Sequence, residues 1–91
     1  MPNDITTTLD ERGARYGQFV GHAKLAQEMK RVMFTGASAA SLADDQREAL
    51  EMIVHKIARI LNGDPNYADS WADIEGYAKL VRDRLETGHA R

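Results

Sequence analysis

The chain has 91 residues, with 14 acidic against 12 basic side chains and a formal net charge of −2. That length favours one small domain over residues 1–91, and the charge lacks the basic excess that a duplex nucleic-acid footprint needs. With no cysteine, a disulfide scaffold and a thiolate zinc site are both excluded.

The opening MPNDITTTLDERG is polar and carries acids, unlike a secretory signal. No apolar run approaches the roughly 20 residues of a membrane span. A cytoplasmic protein is therefore expected. A domain this small buries only about 60–65% of its unfolded surface, and without disulfides homo-oligomerisation is the expected source of further stability.

Four helices and no strand are expected, taken here in chain order. Thr8 can cap a short first helix over residues 9–14, with Asp10 and Glu11 suited to its N-terminus. A second helix is predicted over about residues 16–34. Phe19, Ala23, Ala26, Met29 and Met33 form its apolar stripe, opposite Lys24, Glu28 and Arg31. The small residues GASAAS then make a connector.

A third helix is predicted from Ser41, where SLAD resembles a capping box. Leu50, Ile53, Val54, Ile57, Ile60 and Leu61 supply its stripe. Asn62 and Gly63 end it, as residues that tolerate a left-handed cap, and Pro65 blocks continuation. The fourth helix opens near Asp69 or Ser70. Its apolar face is Trp71, Ile74, Tyr77, Ala78, Val81 and Leu85, and Gly88 closes it. The sum is an all-α small helical bundle: a C-terminal antiparallel helical hairpin with the earlier helix packed across it. Residues 1–7 and 86–91 are expected to be flexible tails.

Several polar side chains exceed what these elements require. Glu48, Met52, His55 and Arg59 form one column on the third helix, with Lys56 at its core edge. Lys56 and Arg59 either complement the helix dipole or clamp a phosphate. Asp73 flanks the fourth helix's stripe beside Tyr77. Gly76 nearby costs about 1 kcal/mol relative to Ala, which close packing by a backbone or a ligand would offset. His22 falls on the apolar side of the second helix, as a core histidine or a donor at a pocket rim. Gly13, Gly17 and Gly21 are four apart; a break at Gly13 and Gly17 would put Arg15 and Tyr16 at a helix N-terminus, which attracts anions. In NGDPNYADSW, Asn66 and Tyr67 are left without a capping or core role and are expected to face a site or a partner subunit.

The segments ERGARYGQF, KIARILNGDPNYADSW and DIEGYAKLV together resemble a group of small phage and prophage proteins of unknown function, over about residues 9–85. The resemblance implies a phage origin and a host-cytoplasm location. The hairpin is also similar to all-α nucleoside triphosphate pyrophosphohydrolases of the MazG type, which hold Mg²⁺ with ExxE and ExxD pairs. Glu48 and Glu51 match the first pair and Asp73 the last acid of the second. Ser70 stands where its Glu belongs, and Asp69 is one position off.

Three functions follow as expectations. The first is binding, without a cofactor, of a phosphorylated nucleotide-like small molecule. Arg15, Lys56 and Arg59 would meet phosphate, Tyr16, Tyr67 or Trp71 would stack on a base, and Asn62 and Asn66 would read polar edges; His22, Asp73 and Tyr77 complete the candidate site. In a phage setting this would sequester a nucleotide messenger of host immunity. The second is a minimal Mg²⁺-dependent pyrophosphohydrolase using Glu48, Glu51, Asp69 and Asp73. The third is a protein that inhibits a host factor by binding it.

Overall fold

The structure, a computed structural model, describes residues 5–89. Every regular element among them is helical. They are α1 (Ile5–Tyr16), α2 (Phe19–Met33), a single 3₁₀ turn (Ala39–Ser41), α3 (Asp44–Asn62) and α4 (Ala68–Thr87). Among the described residues no helix is long and apolar enough to cross a membrane. The expected tails lie partly outside the described residues; Ile5–Thr7 open α1, and Glu86 and Thr87 close α4.

The boundaries have local causes, and some differ from those expected. Gly13 does not interrupt α1, which runs through it to Tyr16. The break is at Gly17 alone: its N–H still closes the last turn on the Gly13 carbonyl at 2.9 Å, and its φ of 79° then turns the chain out of the helix. Arg15 and Tyr16 therefore stand in the last turn of α1 and not at a helix N-terminus. Ser41 belongs to the 3₁₀ turn, and α3 starts three residues later with Asp44 and Asp45 in its first turn. Half of a capping box closes that end: Ala43 N–H donates to Gln46 Oε1 at 2.8 Å. Gly88, at φ 76°, caps α4 through its N–H to the Arg84 carbonyl.

α3 is the central element. It packs against α4 and against α2, whereas α1 makes a smaller contact with α2 and α3. The α2–α3 seam is built from small side chains. Ala26, Val54 and Ala58 are buried at its centre, with Leu25, Met29 and Met33 packed around them. Arg47 lies 4.0 Å from the Phe34 ring centroid and ties the end of α2 to the start of α3. Arg84 holds Asp45 through two hydrogen bonds of 2.6 and 2.8 Å, and this keeps the Asp45 carboxyl below its ordinary range.

The apolar stripes are less buried than their periodicity predicts. Phe19 is 75% exposed, Leu61 65%, Leu85 58% and Trp71 57%. A core role for Trp71 is thus corrected: its ring lies at the surface and its Nε1 donates to the Pro65 carbonyl at 2.9 Å. Gly76 is also explained differently, since a Cβ there would meet nothing within 4 Å; no backbone packs closely against it among the described residues. The radius of gyration is 15.5 Å, well above the ~12 Å of a compact chain this long.

Candidate functional site

The junction of α1, α2 and the C-terminal end of α3 is held by backbone contacts. Asn62 Nδ2 donates to the Tyr16 and Gln18 carbonyls, both at 2.9 Å. Asp64 N–H donates to the Arg15 carbonyl at 2.6 Å. Gly63 is a close-approach glycine: an added Cβ would collide with the Arg15 carbonyl and the Tyr16 backbone. Its φ is −132°, so it ends α3 by fit and not through a left-handed cap. Gly17 needs its glycine for both reasons, because a Cβ there would also meet the Asn62 carbonyl.

This junction presents an aromatic–cationic cluster. The Arg59 guanidinium lies 4.1 Å from the Tyr16 ring centroid, and Tyr16 meets Tyr67 edge-on at 6.0 Å. Arg15 lies 4.9 Å from the Tyr67 ring and its Nη1 donates to the Tyr67 hydroxyl at 2.9 Å. That hydroxyl donates in turn to Asp69 Oδ2 at 2.9 Å, a bond that raises the Tyr67 phenol above its ordinary value.

Two cavities share the wall formed by Arg12, Tyr16 and Arg59. The larger, about 560 Å³, is completed by Leu9, Gly13, Gly17, Gln18, Phe19 and His22. The smaller, about 290 Å³, is completed by Thr8, Glu11 and Arg15. The larger volume falls within the ~300–1,000 Å³ of small-molecule sites. One chamber is mostly apolar and the other mostly charged.

His22 is 5% exposed. Its Nε2 lies 3.2 Å from His55 Nδ1, and the two rings meet edge-on at 4.5 Å. His22 Nδ1 is buried with no hydrogen-bond partner among the described residues. Burial, then the charges of Arg59 and Lys30, hold His22 below its ordinary value. Burial, followed by Arg59, His22, Lys56 and Lys30, pushes His55 down to about 4.

Of the residues singled out from sequence, the junction brings together Arg15, Tyr16, His22, Arg59, Asn62 and Tyr67. Asn62 serves there as a clamp on backbone. Lys56 is turned to a 2.9 Å ion pair with Asp73, its side chain only 12% exposed. Tyr77 lines a separate cavity with Asp45, Glu48 and Arg84. Asn66 is exposed in the α3–α4 loop, where its N–H donates to Asp64 Oδ1. Trp71 lies beyond that loop against Pro65. Arg12, Leu9 and Phe19 were missed as site residues. Leu9, Arg12, Gly13 and Tyr16 stand at i, i+3, i+4 and i+7 of α1, one face of a continuous helix. Breaking that helix at Gly13 hid the pattern.

No protein-family model, curated protein or solved structure matches the chain. The Mg²⁺ set implied by the pyrophosphohydrolase resemblance does not fit these side chains. Among the described residues no group of three or more His, Asp or Glu stands together to hold a metal ion. Asp69 accepts from Tyr67 and Asp73 is paired with Lys56, so among the described residues these acids are engaged elsewhere and do not gather with Glu48 and Glu51.

Proposed function

We propose that the chain binds a phosphorylated, nucleotide-like small molecule in the cleft between α1, α2 and the end of α3, and holds it without turnover. The observation that carries this reading is the pair of chambers sharing Arg12, Tyr16 and Arg59. A nucleotide combines a flat, largely apolar ring with an anionic phosphate, and each chamber suits one part. Phe19 and Tyr16 offer ring surface, for which stacking contributes about 1–3 kcal/mol per base. Arg12, Arg15 and Arg59 offer planar donor forks for phosphate oxygens. With no acidic metal set among the described residues, binding is favoured over hydrolysis.

The resemblance to phage proteins supplies the setting: in the host cytoplasm, tight binding without turnover would sequester a nucleotide signal of host immunity. The Asp45–Arg84 and Lys56–Asp73 ion pairs favour an antiparallel α3–α4 hairpin as the scaffold. Val20, Val32, Leu80 and Leu85 are exposed, and their apolar surface favours a homo-oligomer.

Native mass spectrometry of protein purified from signalling-competent cells reads mass, stoichiometry and retained ligand together. A retained nucleotide-like mass is expected, with a melting temperature that rises on adding back that compound. Absence of any retained ligand, with no shift across a panel of linear and cyclic nucleotides, would refute the reading and favour a protein target.

A further inference from the structure

Beneath the cleft lies a proton-sharing pair that nucleotide stacking and arginine contacts do not use. His22 on α2 and His55 on α3 face one another across the buried seam, and Nε2 of one and Nδ1 of the other can share only one proton when both rings are neutral. His22 forms part of the larger chamber's wall, and its other nitrogen, Nδ1, has no partner among the described residues although the side chain is buried, the residue being 5% exposed. Buried ring nitrogens are normally satisfied, so this one points to a missing partner.

The surrounding charge indicates which partner. The charges acting on the pair are Lys30 from α2 and Lys56 and Arg59 from α3. Arg12 of α1 faces the same chamber. From α4, the carboxylate of Asp73 is engaged by Lys56. The pair is thus kept neutral by burial inside a cationic surround, and an anion would complement that surround.

We propose that His22 is a protonatable anion ligand, so that the cleft takes up one proton when an anionic group enters it. The proton comes from solvent. His22 becomes an imidazolium, its Nδ1–H donates to an oxygen of the incoming anion, and its Nε2–H donates to His55 Nδ1, which stays neutral. His55 is a positioning residue: its contact with His22 Nε2 leaves His22 Nδ1 as the nitrogen for the anion. The inference rests on the cleft being the ligand site proposed above, and its consequence is that the site prefers anions more strongly as pH falls.

The test uses the full chain and two probes that do not titrate near neutrality, sulfate and a phosphodiester-linked diuridine. Calorimetry in buffers of different ionisation enthalpy counts protons taken up. Uptake approaching one proton is expected, with affinity rising by up to about tenfold per pH unit as pH is lowered from about 7.5 to about 5.5. His22→Asn should bind both probes with an affinity that is flat across that range. Nitrogen-15 spectra of the wild-type histidines give a readout independent of that variant, with His22 moving to the imidazolium signature on adding sulfate. Binding without proton uptake, or with His22 remaining neutral, would overturn this inference while leaving the nucleotide reading intact. Proton-linked sulfate binding with no affinity for any nucleotide would support it and refute the nucleotide reading. No binding of either probe overturns it.

Discussion

The Asn62 side chain donates to the Tyr16 carbonyl at 2.9 Å, across 46 positions of sequence. The same nitrogen donates to Gln18, so one amide at the end of α3 satisfies carbonyls on both sides of the α1–α2 break. Tyr16 is thereby set under the Arg59 guanidinium, and the aromatic wall of the cleft depends on a residue that never faces the cleft. Asn62→Ala removes both bonds and should cost about 1–3 kcal/mol by urea denaturation. Asn62→Asp should cost at least as much, because a carboxylate cannot donate and would face two carbonyl oxygens. A midpoint unchanged in either variant would show that the clamp is incidental.

The glycines separate into two classes with opposite expected signs. Gly13 and Gly76 lie inside helices with nothing near the position of a Cβ. Each change to Ala should stabilise by about 0.5–1 kcal/mol. Gly17 has φ 79° and abuts the Asn62 carbonyl. Gly17→Ala should destabilise by about 1–2 kcal/mol from backbone strain alone, and more from the collision. Gly63→Ala should also destabilise, through its collision with the Arg15 and Tyr16 backbone. Thermal melts of the four variants decide the assignment, and a stabilised Gly17→Ala would contradict the close approach.

These contrasts show which parts of the fold were legible in the sequence. Helical periodicity and the turn residues at Asn62–Pro65 and Gly88 located α3 and α4 to within three residues, because local chemistry decides such boundaries. Burial was less legible. Apolar spacing marks a face, yet Ala26 and Ala58 sit at the α2–α3 seam while Phe19 and Trp71 remain exposed; which residue meets a neighbour depends on how closely two backbones approach. In the site, Arg15, Tyr16, Arg59 and Tyr67 stood out as surplus polar and aromatic residues. The His22–His55 pairing did not, since no local pattern links positions 33 apart.

Stability should fall on mild acidification. Both histidines of the His22–His55 pair are held below their ordinary value in the folded chain, His55 to about 4. Between about pH 6.5 and that lower limit the unfolded chain binds more protons than the folded one. The contribution of the neutral pair is therefore complete above about pH 6.5 and is lost as pH falls through the window. The lowered Asp45 carboxyl acts in the same direction at lower pH. Urea midpoints measured in the absence of anionic ligands should decline from pH 7 to about pH 4.5. His55→Gln should flatten that decline, because one of the two groups with a lowered value is removed. An equally steep decline in this variant would place the acid sensitivity elsewhere.

Arg12 offers the sharpest separation of binding from folding. It is exposed on α1 and lines both chambers of the cleft. A surface substitution of this kind ordinarily changes stability by no more than about 0.5 kcal/mol. If its guanidinium contacts phosphate, Arg12→Gln removes a charge-assisted hydrogen bond contributing about 1.5–3 kcal/mol, and affinity for a phosphorylated ligand should fall by at least about tenfold. The variant's affinity should also vary less steeply with salt, because one fewer cation meets the anion. A nucleoside lacking phosphate should bind wild type and variant alike, since Tyr16 and Phe19 remain in place. Equal loss for nucleoside and nucleotide would mean that Arg12 shapes the cleft and does not meet phosphate; equal affinity for the nucleotide would remove Arg12 from the site.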